Sequence, residues 1–192
     1  GRIVLFLGFT SRMTAYVYPD MAVDALASAT PLAVADKASL SLLDMFLGLH
    51  GGMMGEVCVL AILLGFAYLV ATKTIQATIP VTIVATVFVL TALNTGSPYT
   101  ALIECMSGGL LFGSVFMATD YVTSPFTTKG KLFYGVFIGL ITFLIRHFGS
   151  MNEGMSYAIL LGNLMTPWFN AWGHQTPLGY KKPKKAKKGG AE

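Results

Sequence analysis

The sequence is poor in charge, in cysteine and in the short motifs of soluble catalysis. Asp, Glu, Lys and Arg make up 11% of the 192 residues, against about 25% in a soluble globular domain. That deficit excludes a disordered chain, a nucleic-acid-binding surface protein and most soluble enzymes. Two cysteines, Cys58 and Cys105, lie far apart in apolar stretches with no Cys-x-x-Cys spacing. This excludes a zinc site or an iron–sulfur cluster built by this chain alone, and the two read as small buried hydrophobes. His50, His147 and His174 are isolated, with no His-x-x-x-His or Glu-x-x-His pair, which argues against a haem or metal site. No Gly-x-Gly-x-x-Gly follows a strand, and there is no Walker loop and no Ser-His-Asp set.

What the chain has is apolar length. Hydrophobic residues make up 54%, and they fall in five successive segments, residues 55–72, 78–93, 101–119, 132–148 and 154–172. A bilayer-crossing helix takes about 20 apolar residues. The expected fold is therefore all-α: a polytopic membrane helix bundle of about five transmembrane helices. The third segment is interrupted by Gly108-Gly109 and reads as a broken or re-entrant helix. Those glycines let the backbone approach either a ligand or another helix. Residues 1–55 are different material, with Pro19 and Pro31 as breakers, and read as a loop region on one side of the membrane. Within it, residues 36–49 predict an amphipathic helix with Leu40, Leu43, Phe46 and Leu47 on its apolar face, ended by His50-Gly51-Gly52. Residues 3–9 are apolar but short. They read as the end of a preceding membrane helix or of a removed signal, and the expectation is of a longer protein with a further N-terminal half.

The charge balance sets an expected orientation. Six lysines between Lys181 and Lys188 make residues 173–192 a basic tail, while residues 1–180 carry one net negative charge. A polybasic end beside a membrane marks the cytoplasmic side and touches anionic lipid. It has no interleaved aromatics, which argues against nucleic acid. With the tail inside, the connections bearing Lys73, and Lys129 with Lys131, also fall inside, and residues 1–55 fall outside. Arg146 is the one exception. Trp168 and Trp172 then close the last helix at the inner interface.

Three carboxylates stand in or beside the apolar segments: Glu56, Glu104 and Asp120. An ionised carboxylate in a bilayer costs several kcal/mol unless it is paired, neutralised or wet. Each is therefore a candidate for an ion pathway or a subunit contact. The plain alternatives are a helix N-terminal charge for Glu56, an interfacial position for Glu104, and a turn residue for Asp120. In the loop region, Ala27-Ser28-Ala29-Thr30-Pro31 follows Asp24. By itself this is an ordinary turn signature.

A series of short motifs carries more. Ser107-Gly108-Gly109, Met117-Ala118-Thr119-Asp120, Thr123-Ser124-Pro125, Lys129-Gly130-Lys131, Tyr134-Gly135, Ile145-Arg146, Glu153-Gly154 and LLGNLMTP at 160–167 occur in order. With GGMMGE at 51–56, they resemble the C-terminal half of a membrane-protein family. Its members are the D subunit of the Rnf ion-translocating ferredoxin:NAD oxidoreductase complex and the B subunit of the sodium-pumping NADH:quinone oxidoreductase. Ser28-Ala29-Thr30-Pro31 and Thr123-Ser124-Pro125 look more like the Rnf member. Tyr121 stands where both often have Pro, and Asn170 where Asp is usual.

The resemblance implies FMN attached through its phosphate to a threonine in a motif near Asp-x-x-Ser/Thr-Gly-Ala-Thr. Asp24, Ala29 and Thr30 match; Ala27 and Ser28 are small replacements. Thr30 is the implied attachment residue, with Ser28 and Asp24 beside it. Thr119 and Thr123 are rivals that fall on the expected inner side. The implied protein is a membrane electron-transfer subunit whose electron flow is coupled to Na+ or H+ transport. Its implied partners are the other subunits of the complex, a flavin transferase for maturation, and the lipid bilayer of the cytoplasmic membrane. Two other readings stand beside it: a transporter half without redox chemistry, and a scaffold whose basic tail recruits partners.

Overall fold

A computed structural model describes residues 41–49, 55–149 and 154–172. Asp24, Ser28, Thr30, His50, His174 and the basic tail lie outside the described residues. Within them every regular element is helical. The elements are α1 (Leu42–Leu47), α2 (Val59–Ala71), α3 (Thr78–Thr95), α4 (Pro98–Met106), α5 (Leu110–Met117), α6 (Thr128–Phe148) and α7 (Met155–Trp172). The second part of α5, Gly113–Met117, winds as a π-helix.

The bundle is organised around α6. Gly135 and Gly139, four residues apart on one face, lie against Thr82 and Thr86, which share a face of α3. A Cβ on either glycine would stand 2.7 Å from a threonine Cβ, so two helices approach where side chains are smallest. The two threonine hydroxyls donate to the carbonyls of Thr78 and Thr82 on their own helix, so they add no unsatisfied group to the contact. The paired positions rise together along both helices, so α3 and α6 run in the same direction. On its other side α6 packs antiparallel to α7, with Gly162 against Ile138 and Tyr134, and Gly154 against Ile145. Ile79, Ile83, Val87, Leu110, Ile138, Ala158 and Phe169 fill the space between.

The helix ends follow local chemistry. Thr127 caps α6, its hydroxyl accepting from the Gly130 N–H at 3.0 Å. Pro98 opens α4, where its missing N–H matters least. Gly48 and Gly96 close α1 and α3 in the left-handed region.

Five crossings were expected, and the helices divide differently. α3, with 18 residues, and α6, with 21, are long and apolar enough to cross a membrane. α4 and α5 qualify together as one span bent by 66°. The expected first crossing begins late, because residues 55–58 form turns and α2 has 13 residues. At 1.5 Å per residue it rises roughly 20 Å, short of a hydrocarbon core of about 30 Å. α7 has 18 residues, but Asn163, Thr166, Pro167 and Asn170 dilute its apolar character.

The helix expected over 36–49 also needs correction. Its described part ends at Gly48, ahead of the His50-Gly51-Gly52 signal, with the Gly48 N–H on the Asp44 carbonyl. Its buried residue is Met45, while Leu43 is 71% exposed. Apolar periodicity misreads the inward face here because the bundle's outer surface is itself apolar: Leu64, Leu93, Val122 and Phe148 are all exposed.

Candidate functional site

The bend between α4 and α5 gathers the polar groups of the bundle. Gly108, at φ 65, takes the chain through the left-handed region, and the last carbonyls of α4 lose their helical donors. The Ser107 hydroxyl donates to the Ile103 carbonyl at 2.6 Å. Arg146, from the last turn of α6, donates from Nη1 to the Glu104 carbonyl at 2.8 Å and from Nη2 to the Ser107 carbonyl at 3.2 Å. A cation at the C-terminal end of a helix also meets the negative pole of its dipole.

Glu104 is 2% exposed. The Thr91 hydroxyl of α3 donates to its Oε2 at 3.4 Å, and His147 Nε2 stands 3.9 Å from the same oxygen. The His147 ring stacks on Phe143, with centroids 4.4 Å apart. A carboxylate, a guanidinium, an imidazole and a hydroxyl from three helices are thus drawn to one backbone break. Glu104 is enclosed by the protein, at the level of the last turn of α6.

Glu56 is also buried, at 8% exposed, three residues ahead of α2. α1 packs against α2 and α4, with Gly48 close to Cys58 at the start of α2. Residues 41–49 therefore meet the bundle at the end that holds Glu56 and the C-terminus of α6.

Asp120 lies at the opposite end. It is exposed, its Oδ2 accepts from the Thr123 hydroxyl at 3.0 Å, and its carbonyl accepts from the Ser124 N–H. The expected turn role is thus present. Around it, Thr166 donates to the Thr123 carbonyl, the Phe126 N–H to the Asn170 side chain, and Tyr121 to the Thr74 carbonyl. Lys131 Nζ reaches Gln76 at 2.7 Å. Lys73, Lys129 and Lys131 all sit at this end, while Arg146 belongs to the other. The Thr119 and Thr123 hydroxyls are both engaged internally, on Val115 and Asp120.

The structure thus separates the three carboxylates, two toward the α1 end and one at the lysine-bearing end. Arg146, His147 and Thr91 were not singled out around Glu104 from the sequence; the one signal was an Arg-His pair in the last turn of an otherwise apolar helix. Among the described residues no group of three His, Cys, Asp or Glu is placed to hold a metal ion.

Comparison with known proteins gives a consistent result. A family model described as the NQR2, RnfD, RnfE family matches residues 1–179. The D subunit of the Na(+)-translocating ferredoxin:NAD(+) oxidoreductase complex of Acetobacterium woodii is 37% identical over 194 residues, covering 98% of this chain and 60% of that protein. The D subunit of the proton-translocating ferredoxin:NAD(+) oxidoreductase complex of Clostridium ljungdahlii is 34% identical, covering 95% and 60%. The B subunit of the Na(+)-translocating NADH-quinone reductase of Azotobacter vinelandii is 36% identical, covering 87% and 45%. The chain spans about 60% of the length of the first two relatives.

Proposed function

The chain belongs to the NQR2, RnfD, RnfE family, and from that membership we propose that it is a membrane electron-transfer subunit of an ion-translocating ferredoxin:NAD+ oxidoreductase. Electron flow through the complex is coupled to movement of Na+ or H+, and the chain carries FMN esterified through its phosphate to Thr30. The observation that carries this reading is the likeness to the D subunits of two such complexes across nearly the whole chain. Likeness to the B subunit of the Na(+)-translocating NADH-quinone reductase favours a second assignment within the same chemistry.

Support for Thr30 comes from the Asp24, Ala29 and Thr30 match to the attachment motif, and from the internal engagement of the rival Thr119 and Thr123 hydroxyls. Bound there, FMN supplies one- or two-electron transfer between other carriers. Ser28 and Asp24 precede the attachment residue in the sequence, and its neighbours Ala27, Ser28 and Ala29 are small. The tether holds the group in place as its redox state changes.

The chain lies in the cytoplasmic membrane with the flavin loop outside and the basic tail inside. The grouping of Lys73, Lys129 and Lys131 at one end of the bundle supports this orientation. The tail touches anionic lipid, and the other subunits of the complex supply the electron donor and acceptor. Asp120, exposed at the lysine-bearing end, and Glu56, enclosed toward the α1 end, are the carboxylates proposed to act in ion movement.

Mass analysis of a peptide spanning Ser28 to Pro31, from chain matured with its flavin transferase, tests the cofactor. The expected mass is that of FMN added with loss of water, and the denatured band fluoresces. Thr30→Ala abolishes both. An unmodified Thr30 overturns the assignment.

A further inference from the structure

The α4–α5 bend presents an oxygen set that is ordinarily found around a metal cation. It has the carbonyls of Glu104 and Ser107 at the C-terminal end of a half-helix, the Glu104 carboxylate, and the Thr91 hydroxyl 3.4 Å from it. Unwound carbonyls and half-helix C-termini are the usual ligands of Na+ in broken membrane helices. Here the two carbonyls are taken by Arg146 Nη1 and Nη2, at 2.8 Å and 3.2 Å.

We propose that the bend is a monovalent-cation site that the protein fills with its own guanidinium. Arg146 is a tethered cation, and Glu104 is its counter-charge rather than an open ion ligand. Three physical features support this. A guanidinium stays protonated in a protein, so the site is filled at every pH the protein meets. Its planar fork satisfies two carbonyls at once, as a small cation does. A buried charge needs a compensating partner in an apolar layer, and the enclosed Glu104 carboxylate with the helix C-terminus provides it. The consequence is that passing cations are excluded from this bend while Arg146 is in place. A bound ion entering here must first displace the side chain.

The test uses the assembled complex in detergent and three versions of the chain: the parent, Arg146→Gln and Arg146→Lys. Gln still donates to a carbonyl but brings no charge; Lys brings charge without the fork. The thermal midpoint of this subunit is read in NaCl and in choline chloride of equal ionic strength. The expected result is an added sodium-dependent rise in R146Q, about 2–4 °C for a site well saturated by salt. The parent and R146K show no such added rise, and Glu104→Gln introduced into R146Q removes it. A sodium response of R146Q equal to that of the parent overturns the proposal, as does an R146K that behaves as R146Q does. Where R146Q assembles in neither salt, R146K decides: assembly with no added sodium response supports a tethered cation, and failure to assemble overturns it.

Discussion

The Tyr134 hydroxyl donates to the Asn163 side-chain oxygen at 2.5 Å, joining α6 to α7 inside the bundle. Tyr134 is fully enclosed, with Phe169 edge-on to its ring. Removing the hydroxyl leaves an amide oxygen in apolar surroundings, where water does not replace the bond. Interhelical hydrogen bonds in membranes contribute about 0.6 kcal/mol on average and up to about 1.7. The short distance and the burial place this one toward the upper figure. Tyr134→Phe should lower stability to that extent, and Asn163→Ala should add little once Tyr134 is already Phe. A double-mutant cycle of reversible unfolding in mixed micelles checks it. Additive losses would mean that the two side chains act independently.

The approach of α3 and α6 depends on missing side chains. A Cβ at Gly139 would stand 2.7 Å from Thr86 Cβ and 3.1 Å from the Ile83 carbonyl, neither of which can swing away. Gly139→Ala should therefore push the helices apart and lose about 1–3 kcal/mol. Gly65 offers the contrast. Its Cβ would meet only the far edge of the Phe116 ring at 3.1 Å. There the helix-propensity gain of Ala, about 1 kcal/mol, offsets a small ring movement. Thermal midpoints of the two variants should fall well apart, with G65A near the parent.

Much of this architecture was legible in the sequence because apolar length and turn residues carry it. Segment 78–93 became α3, extended by two residues to Thr95, and segment 132–148 became α6, started early by the Thr127 cap. The interruption at Gly108-Gly109 was readable as well, since few residues other than glycine adopt the φ of 65 found at Gly108. The functional cluster was less legible for a physical reason. Arg146 read as a misplaced topological charge, because its partners are backbone carbonyls, and carbonyls have no letter in a sequence. Glu104 and Thr91 are 13 residues apart on two helices, and only the Gly96 turn brings them together. The inward face of α1 was misread because the outward face is greasy too.

The lysine-bearing end fixes a prediction about orientation. Lys73, Lys129 and Lys131 lie together there, and the connection around Asn94 and Gly96 at the other end has no charge. In a background with Cys58 and Cys105 replaced by Ala, Asn94→Cys should react with an impermeant maleimide applied to intact cells. Thr128→Cys should react only after the membrane is opened. Both residues are exposed on this chain, and reaction of each after detergent treatment of the membranes shows that it is not covered by another subunit. The reverse pattern would overturn the proposed orientation.

Asp120 separates a structural role from a coupling role, because its turn bonds survive the loss of charge. The Ser124 N–H meets a backbone carbonyl, which substitution leaves untouched. The Thr123 hydroxyl meets Oδ2 at 3.0 Å, and an Asn side chain still offers one oxygen to it. Asp120→Asn should therefore assemble and unfold as the parent does, with a change within about 0.5 kcal/mol. What it removes is an exposed negative charge at the lysine-bearing end, which the proposed ion-pathway role of Asp120 requires. In proteoliposomes of the complete complex, D120N should keep most of its ferredoxin:NAD+ electron transfer while ion accumulation per electron falls several-fold. Equal losses of both activities would point to a damaged fold. Full ion transport in D120N would show that the carboxylate serves the turn alone.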